Sequence, residues 1–162
     1  MNMKARIFIM YGQFGYLTSI GMANLAKRLA ALYPQCEVTT HSWKYPSVIE
    51  MELYLLDAKL PKIVIGYSLG ANSVTIVGAN AHQRRIDLAV CYDPSVSGVV
   101  VQPTANIKRL LLYHNQGSGL LGHLIFHGPQ VERTDVNQTH LGVCFNESLH
   151  LKTIAEIGLV IA

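Results

Sequence analysis

Charge is scarce in this chain: 13 Lys plus Arg and 10 Asp plus Glu among 162 residues make it 14% charged, against about 25% in an ordinary soluble domain. Disorder needs the opposite balance, little apolar content and much net charge. Here half the residues are hydrophobic and the net charge is only +3, so a folded chain is expected. Unbroken apolar runs are also missing. The stretches 63–83 and 110–131 are long enough to cross a bilayer, which takes roughly 20 apolar residues. The first, however, contains Ser68, Asn72, Ser73, Thr75, Asn80 and His82, and the second contains His114, Asn115, Gln116, His123, His127 and Pro129. No transmembrane segment is expected, and the missing charge calls for a large core. Cysteine is sparse too. Cys36, Cys91 and Cys144 are odd in number and far apart, which gives neither a disulfide framework nor metal-ligand spacing. Free thiols in a reducing, cytoplasmic setting follow. At the N-terminus the apolar run 7–10 is shorter than the roughly 7–15 residues of a signal-peptide core. Basic clusters are absent, since Lys27-Arg28, Arg84-Arg85 and Lys108-Arg109 are scattered pairs. Nucleic acid is not an expected partner, because a phosphate footprint needs clustered Lys and Arg.

What is present is an alternation of strand-like and helix-like segments from end to end. Residues 6–11 form a β-rich run, followed by the loop Gly12-Gln13-Phe14-Gly15. Thr18 or Ser19 is placed to cap a helix whose Met22, Leu25, Ala26, Leu29 and Leu32 recur at helical spacing. A second strand is expected over 37–41. Pro46 then opens a helix with Val48, Met51 and Leu55 as its apolar stripe, stopped by Pro61. Ile63-Val64-Ile65 reads as a strand buried on both faces. A helix rich in small residues is expected over 71–82, strands over 86–92, 107–113 and 131–136, and a last helix over 147–157, capped by Asn146 and ending near Gly158. The pattern predicts one α/β domain over 1–162: a three-layer sandwich with a mostly parallel sheet of about six strands and helices on both faces. In such sheets chemistry lies beyond the carboxyl ends of the strands.

Directly after the 63–65 strand stands Gly66-Tyr67-Ser68-Leu69-Gly70. This is G-x-S-x-G, in which a sharp strand-to-helix turn exposes the serine oxygen. The motif requires a buried strand before it and a helix after it, and both are expected here. Gly66 and Gly70 suit a turn in which a Cβ would clash. A serine hydroxyl needs a base to take its proton, and the base needs an acid to hold its tautomer. Asp93, in Cys91-Tyr92-Asp93-Pro94, follows the next buried strand and is the best-placed acid, with Asp135 the second choice. Of seven histidines, His140 follows the last strand and a polar loop, so it is the candidate base, with His114 and His123 as alternatives. His82, about 14 residues beyond Ser68 on the following helix, lies some 20 Å away at helical rise.

The order Ser68, Asp93, His140 resembles that of the α/β-hydrolases. The resemblance covers nearly the whole sequence, and the acid after the neighbouring strand is similar to lipases with Asp-Pro at that point. In size the chain looks like the compact, lidless, cutinase-like esterases, with no room for a cap domain. The resemblance implies a minimal α/β-hydrolase fold and an oxyanion hole built from the amide of Leu69 and one of Gln13 or Phe14. It also implies an acyl-enzyme reaction on a carboxylic ester or thioester, without cofactor or metal. The apolar loops 96–101 and 120–126 are expected to line an apolar substrate pocket, pair two subunits as a homodimer, or touch lipid. A second reading is a catalytically silent hydrolase-fold binding module.

Two other signals are set aside. Gly117-Ser118-Gly119-Leu120-Leu121-Gly122 spells the dinucleotide fingerprint, but Gly128-Pro129 would stop the helix that must hold the pyrophosphate. His123 and His127, with His114 nearby, lack the carboxylate or thiol that would complete a zinc site.

Overall fold

The computed structural model describes residues 3–81, 85–95, 102, 106–116 and 125–162. The apolar loop 96–101, most of 120–126, the glycine-rich stretch 117–122, His82 and His123 lie outside these residues.

Six strands, β1 (Ala5–Tyr11), β2 (Cys36–Ser42), β3 (Lys62–Tyr67), β4 (Leu88–Tyr92), β5 (Leu110–Asn115) and β6 (Val131–Val136), form one sheet in the order β2-β1-β3-β4-β5-β6. All the pairings are parallel. Parallel neighbours need crossovers; α1 (Ile20–Leu32), α2 (Pro46–Leu55) and α3 (Leu69–Asn80) link β1 to β2, β2 to β3 and β3 to β4, and α4 (His140–Phe145) and α5 (Glu147–Ile161) follow β6. Side chains alternate along each strand between two cores. Ile7, Ile9, Ile63, Ile65, Val90 and Leu111 meet α1, α4 and α5 on one face. Phe8, Met10, Val64, Ala89, Leu110 and Leu112 meet α2 and α3 on the other. The expected three-layer sandwich is thus present.

Three local expectations are corrected. The stripe Val48, Met51, Leu55 of α2 does not face the core: Met51 is 62% and Leu55 76% exposed, while Ile49 and Leu53 are fully buried. Apolar residues occur all round this helix, so periodicity alone did not select a face. Ser19 holds the N-cap position of α1 without capping it. Its Oγ instead accepts the amide of Gly12 at 3.0 Å, and the Thr18 hydroxyl donates to the Gln13 carbonyl. Finally, α5 runs through Gly158 to Ile161, since a single glycine costs a helix only about 1 kcal/mol. The Asn146 cap is present, its side chain accepting the Leu149 amide at 3.1 Å.

The chain order departs once from simple succession: β2 lies on one side of β1 and β3 on the other. Loops leaving β1 and β3 therefore diverge to opposite faces and open a crevice at their carboxyl ends, the usual ligand position in open α/β sheets.

Candidate active site

The sheet register places the candidate residues in one row. Tyr67 of β3 pairs with Tyr92 of β4, which pairs with Tyr113 of β5, so Ser68, Asp93 and His114 each come one step later. The ladder continues into the first two, with the Ser68 amide donating to the Tyr92 carbonyl at 3.0 Å and that of Asp93 to Tyr113 at 2.8 Å.

Ser68 has φ 57° and ψ −123°, a sharp reversal between β3 and α3. The close approach is visible at both glycines. A Cβ on Gly66 would sit 2.3 Å from the Gly70 carbonyl oxygen, and one on Gly70 would sit 2.2 Å from that of Met10. The turn also places the Leu69 amide at the start of α3, where no carbonyl of its own helix precedes it.

Asp93 is 1% exposed, with φ 45°. Its Oδ1 accepts the Asn115 amide at 3.3 Å, and its Oδ2 lies 2.6 Å from Nδ1 of His140. His140 does not merely precede the last helix, as its position suggested. It opens a short helix of its own, α4, capped by Thr139, whose Oγ1 accepts the Gly142 amide at 3.0 Å. Its ring stacks on Tyr67 with centroids 5.0 Å apart and 28° between planes, and the Tyr67 hydroxyl donates to the His140 carbonyl at 3.3 Å. One aromatic side chain thus holds the imidazole by face and by backbone, while Asp93 holds its Nδ1 edge.

Ser68 and His140 line a common cavity of about 200 Å³, together with Gln13, Phe14, Thr18, Tyr67 and Leu141. Phe14 has φ 61° and is 73% exposed. The Gly15 amide is committed to the Gly12 carbonyl at 3.1 Å, which leaves the amides of Gln13 and Phe14 as the loop's candidates for the cavity.

The alternatives fall elsewhere. His114 and Asp135, the second choices for base and acid, pair with each other at 3.1 Å across β5 and β6. Arg133 beside Asp135 holds its carboxyl below the usual range. His150 is 4% exposed and bonded to the Cys144 carbonyl at 2.9 Å, and burial lowers its pKa. His41, on β2, sits against Phe8. The positioning role of Tyr67 leaves no motif of its own in the sequence, and Thr18 and Ser19, expected as helix caps, instead hold the loop after β1. The one trace of the Tyr67 role is that a tyrosine immediately precedes Gly12, Ser68, Asp93 and His114 alike. Among the described residues no cluster of His, Cys, Asp and Glu could hold a metal ion, and no helix is long and apolar enough to cross a membrane.

No family model matches the sequence, and no curated protein matches it. Solved structures do match. A protein assigned to the hydrolases of the alpha/beta superfamily, from Xanthomonas campestris pv. campestris, aligns with TM-score 0.65 and 13% identity over 96% of this chain and 98% of that one. YbtT, the type II thioesterase of the yersiniabactin NRPS/PKS biosynthetic pathway, aligns with TM-score 0.60 and 10% identity over 99% and 95%. An acetylxylan esterase aligns with TM-score 0.54 and 10% identity over the whole of both chains. With its parallel sheet, its order of elements and these matches over nearly its full length, the chain has the α/β-hydrolase fold.

Proposed function

We propose that this chain is a serine hydrolase that cleaves a carboxylic ester or thioester through an acyl-enzyme, with Ser68 as nucleophile, His140 as base and Asp93 as the acid that orients it. The observation that carries the reading is the 2.6 Å contact between the buried Asp93 carboxylate and His140 Nδ1, beside a cavity that His140 shares with Ser68. An Nδ1–H donated to Asp93 leaves Nε2 as the acceptor, the tautomer a general base needs.

The reaction then follows from the groups in place. Ser68 Oγ bonds to the substrate carbonyl carbon as its proton passes to His140 Nε2. The carbonyl oxygen, now negative, is held by the amide of Leu69 and by that of Gln13 or Phe14. Each such donor commonly contributes about 10²–10³-fold in rate. Collapse of the tetrahedral species breaks the bond to the leaving alcohol or thiol, which departs with the proton from His140. Water, deprotonated by His140, attacks the acyl carbon, releases the acid and restores Ser68. Metal and cofactor have no step in this scheme. Phe14 and Leu141 on the cavity wall favour an apolar group in the substrate, and the three free cysteines fit a reducing compartment.

Fluorophosphonate labelling of the folded protein tests the reading. Mass spectrometry should find one adduct, on Ser68, absent in Ser68→Ala. A folded protein without the adduct would be a silent binding module instead.

A further inference from the structure

Beside the elbow lies a second cavity of about 200 Å³, on the α2–α3 face of the sheet. Its walls are Trp43, Pro46, Leu69 and Ile76 together with the polar Asn72 and Ser73, and among the described residues Lys44 is the only charged one that lines it. Leu69, the residue directly after Ser68, lines it, so the cavity adjoins the turn that carries the nucleophile. The first cavity is lined by His140; the second is not. That difference assigns the two halves of an ester. A leaving group must receive its proton from His140 and therefore lies on the His140 side, which leaves the Trp43 cavity for the acyl group.

The wall is held in place. Ser73 Oγ donates to the Trp43 carbonyl at 2.7 Å, which ties the segment after β2 to α3, and also lies 3.1 Å from the Leu69 carbonyl. The Lys44 ammonium stands 6.0 Å from the centre of the Trp43 ring, and Lys44 makes no ion pair with any described residue. At about 30 Å³ per water-sized group, the space takes on the order of six such groups. A slot of that size, walled mainly by Trp43, Pro46, Leu69 and Ile76, with Asn72 and Ser73 on the α3 side and a cation without an ion-pair partner among the described residues, fits a short aliphatic chain ending in an anion.

Building on the proposed hydrolase reading, we propose that the Trp43–Lys44 cavity is the acyl subsite and selects short acyl groups with a terminal carboxylate, the monoesters or thioesters of small dicarboxylic acids. Lys44 pairs with the free carboxylate, and Trp43 and Ile76 pack on the methylenes.

The test compares kcat/KM for mono-p-nitrophenyl glutarate with that for p-nitrophenyl pentanoate, which has a similar length and no charge. The wild type should favour the glutarate by about fivefold, the ratio an exposed ion pair gives. Lys44→Gln should bring the ratio to about one and Lys44→Glu should invert it, with the change in KM rather than kcat. Trp43 is the only tryptophan of the chain, so its fluorescence should also shift on titration with glutarate, at lower concentration in wild type than in Lys44→Glu. A ratio unchanged among the three proteins, with Ser68 still labelled by fluorophosphonate, would overturn the subsite and leave the hydrolase reading standing. Absence of the Ser68 label would remove both.

Discussion

Three non-glycine residues among those described have φ in the left-handed region, Phe14, Ser68 and Asp93, and each follows a strand that ends at the candidate site. Such backbone costs of order 1–3 kcal/mol per residue and persists only where the surroundings impose it. Ser68→Gly should therefore raise the melting temperature by about 2–4 °C while it abolishes labelling, since a glycine relieves roughly 1 kcal/mol at such a position. Differential scanning fluorimetry of the two proteins checks this; a lower melting temperature in the variant would show that the Ser68 turn is unstrained. Asp93→Asn keeps a residue type that tolerates positive φ but removes the acceptor that fixes the His140 tautomer. The variant should fold, and kcat on p-nitrophenyl esters should fall about 10⁴-fold. Residues of this kind were legible because their types are chemically constrained and each stands just after a strand. Thr18 and Ser19 were misread because a hydroxyl before a helix looks the same whether it caps that helix or, as here, turns back to the loop at Gly12 and Gln13.

Helix α4 carries His140 and is only six residues long, so its position depends on what it rests against. It rests on α1 at Gly21, where a Cβ would come within 2.0 Å of the Cys144 carbonyl oxygen. Gly21→Ala must push the two helices apart. A displacement of about 1 Å at the reacting groups can cost 10²-fold, so kcat/KM should fall by about 10–100-fold while the protein remains folded by circular dichroism. Near-wild-type activity would show that α4 is positioned from elsewhere. The same contact shields the thiol: burial pushes the Cys144 pKa up to about 11, and Cys91 is raised further for the same reason. Thiol reagents at pH 7.5 should modify half-exposed Cys36 first. At this scale the sequence was most informative where burial is two-sided, as in β3, β4 and β5, because both faces must be apolar. It was least informative for α2, apolar on its inner and outer sides, and for the separate existence of α4. That helix has too few residues for a period and is defined by the Thr139 cap and the Asn146 turn.

For the molecule as a whole, two histidines tie stability to pH. Burial is the leading cause of the lowered pKa of His150 and of His41. The unfolded chain therefore binds more protons near pH 6 than the folded one. Their contribution is full above about pH 6.5 and is lost as pH falls through the folded values, with a limit of about 1.4 kcal/mol per pH unit for each proton taken up. The melting temperature should fall between pH 7.5 and pH 5.5, a window in which Glu132 and Asp135, both lowered by neighbouring arginines, stay ionised. His150→Gln should flatten that slope; an unaltered slope would assign the effect to other groups. The whole-molecule reading of the sequence, a layered parallel sheet with chemistry at its carboxyl edge, needed only the alternation of segments. The strand order needed coordinates, since β1 is flanked by β2 and β3 and neither pairing leaves a mark on composition. That order bears on how the protein reaches its native state. A sheet whose pairings are all parallel has no hairpin to form early, and every pairing must close a long loop first. The candidate site draws on residues from Gln13 to Leu141, so no local segment can assemble it. The rate at which Ser68 regains reactivity after dilution from denaturant would then time the completion of folding rather than the formation of the elbow, making the site a kinetic reporter of the entire sheet.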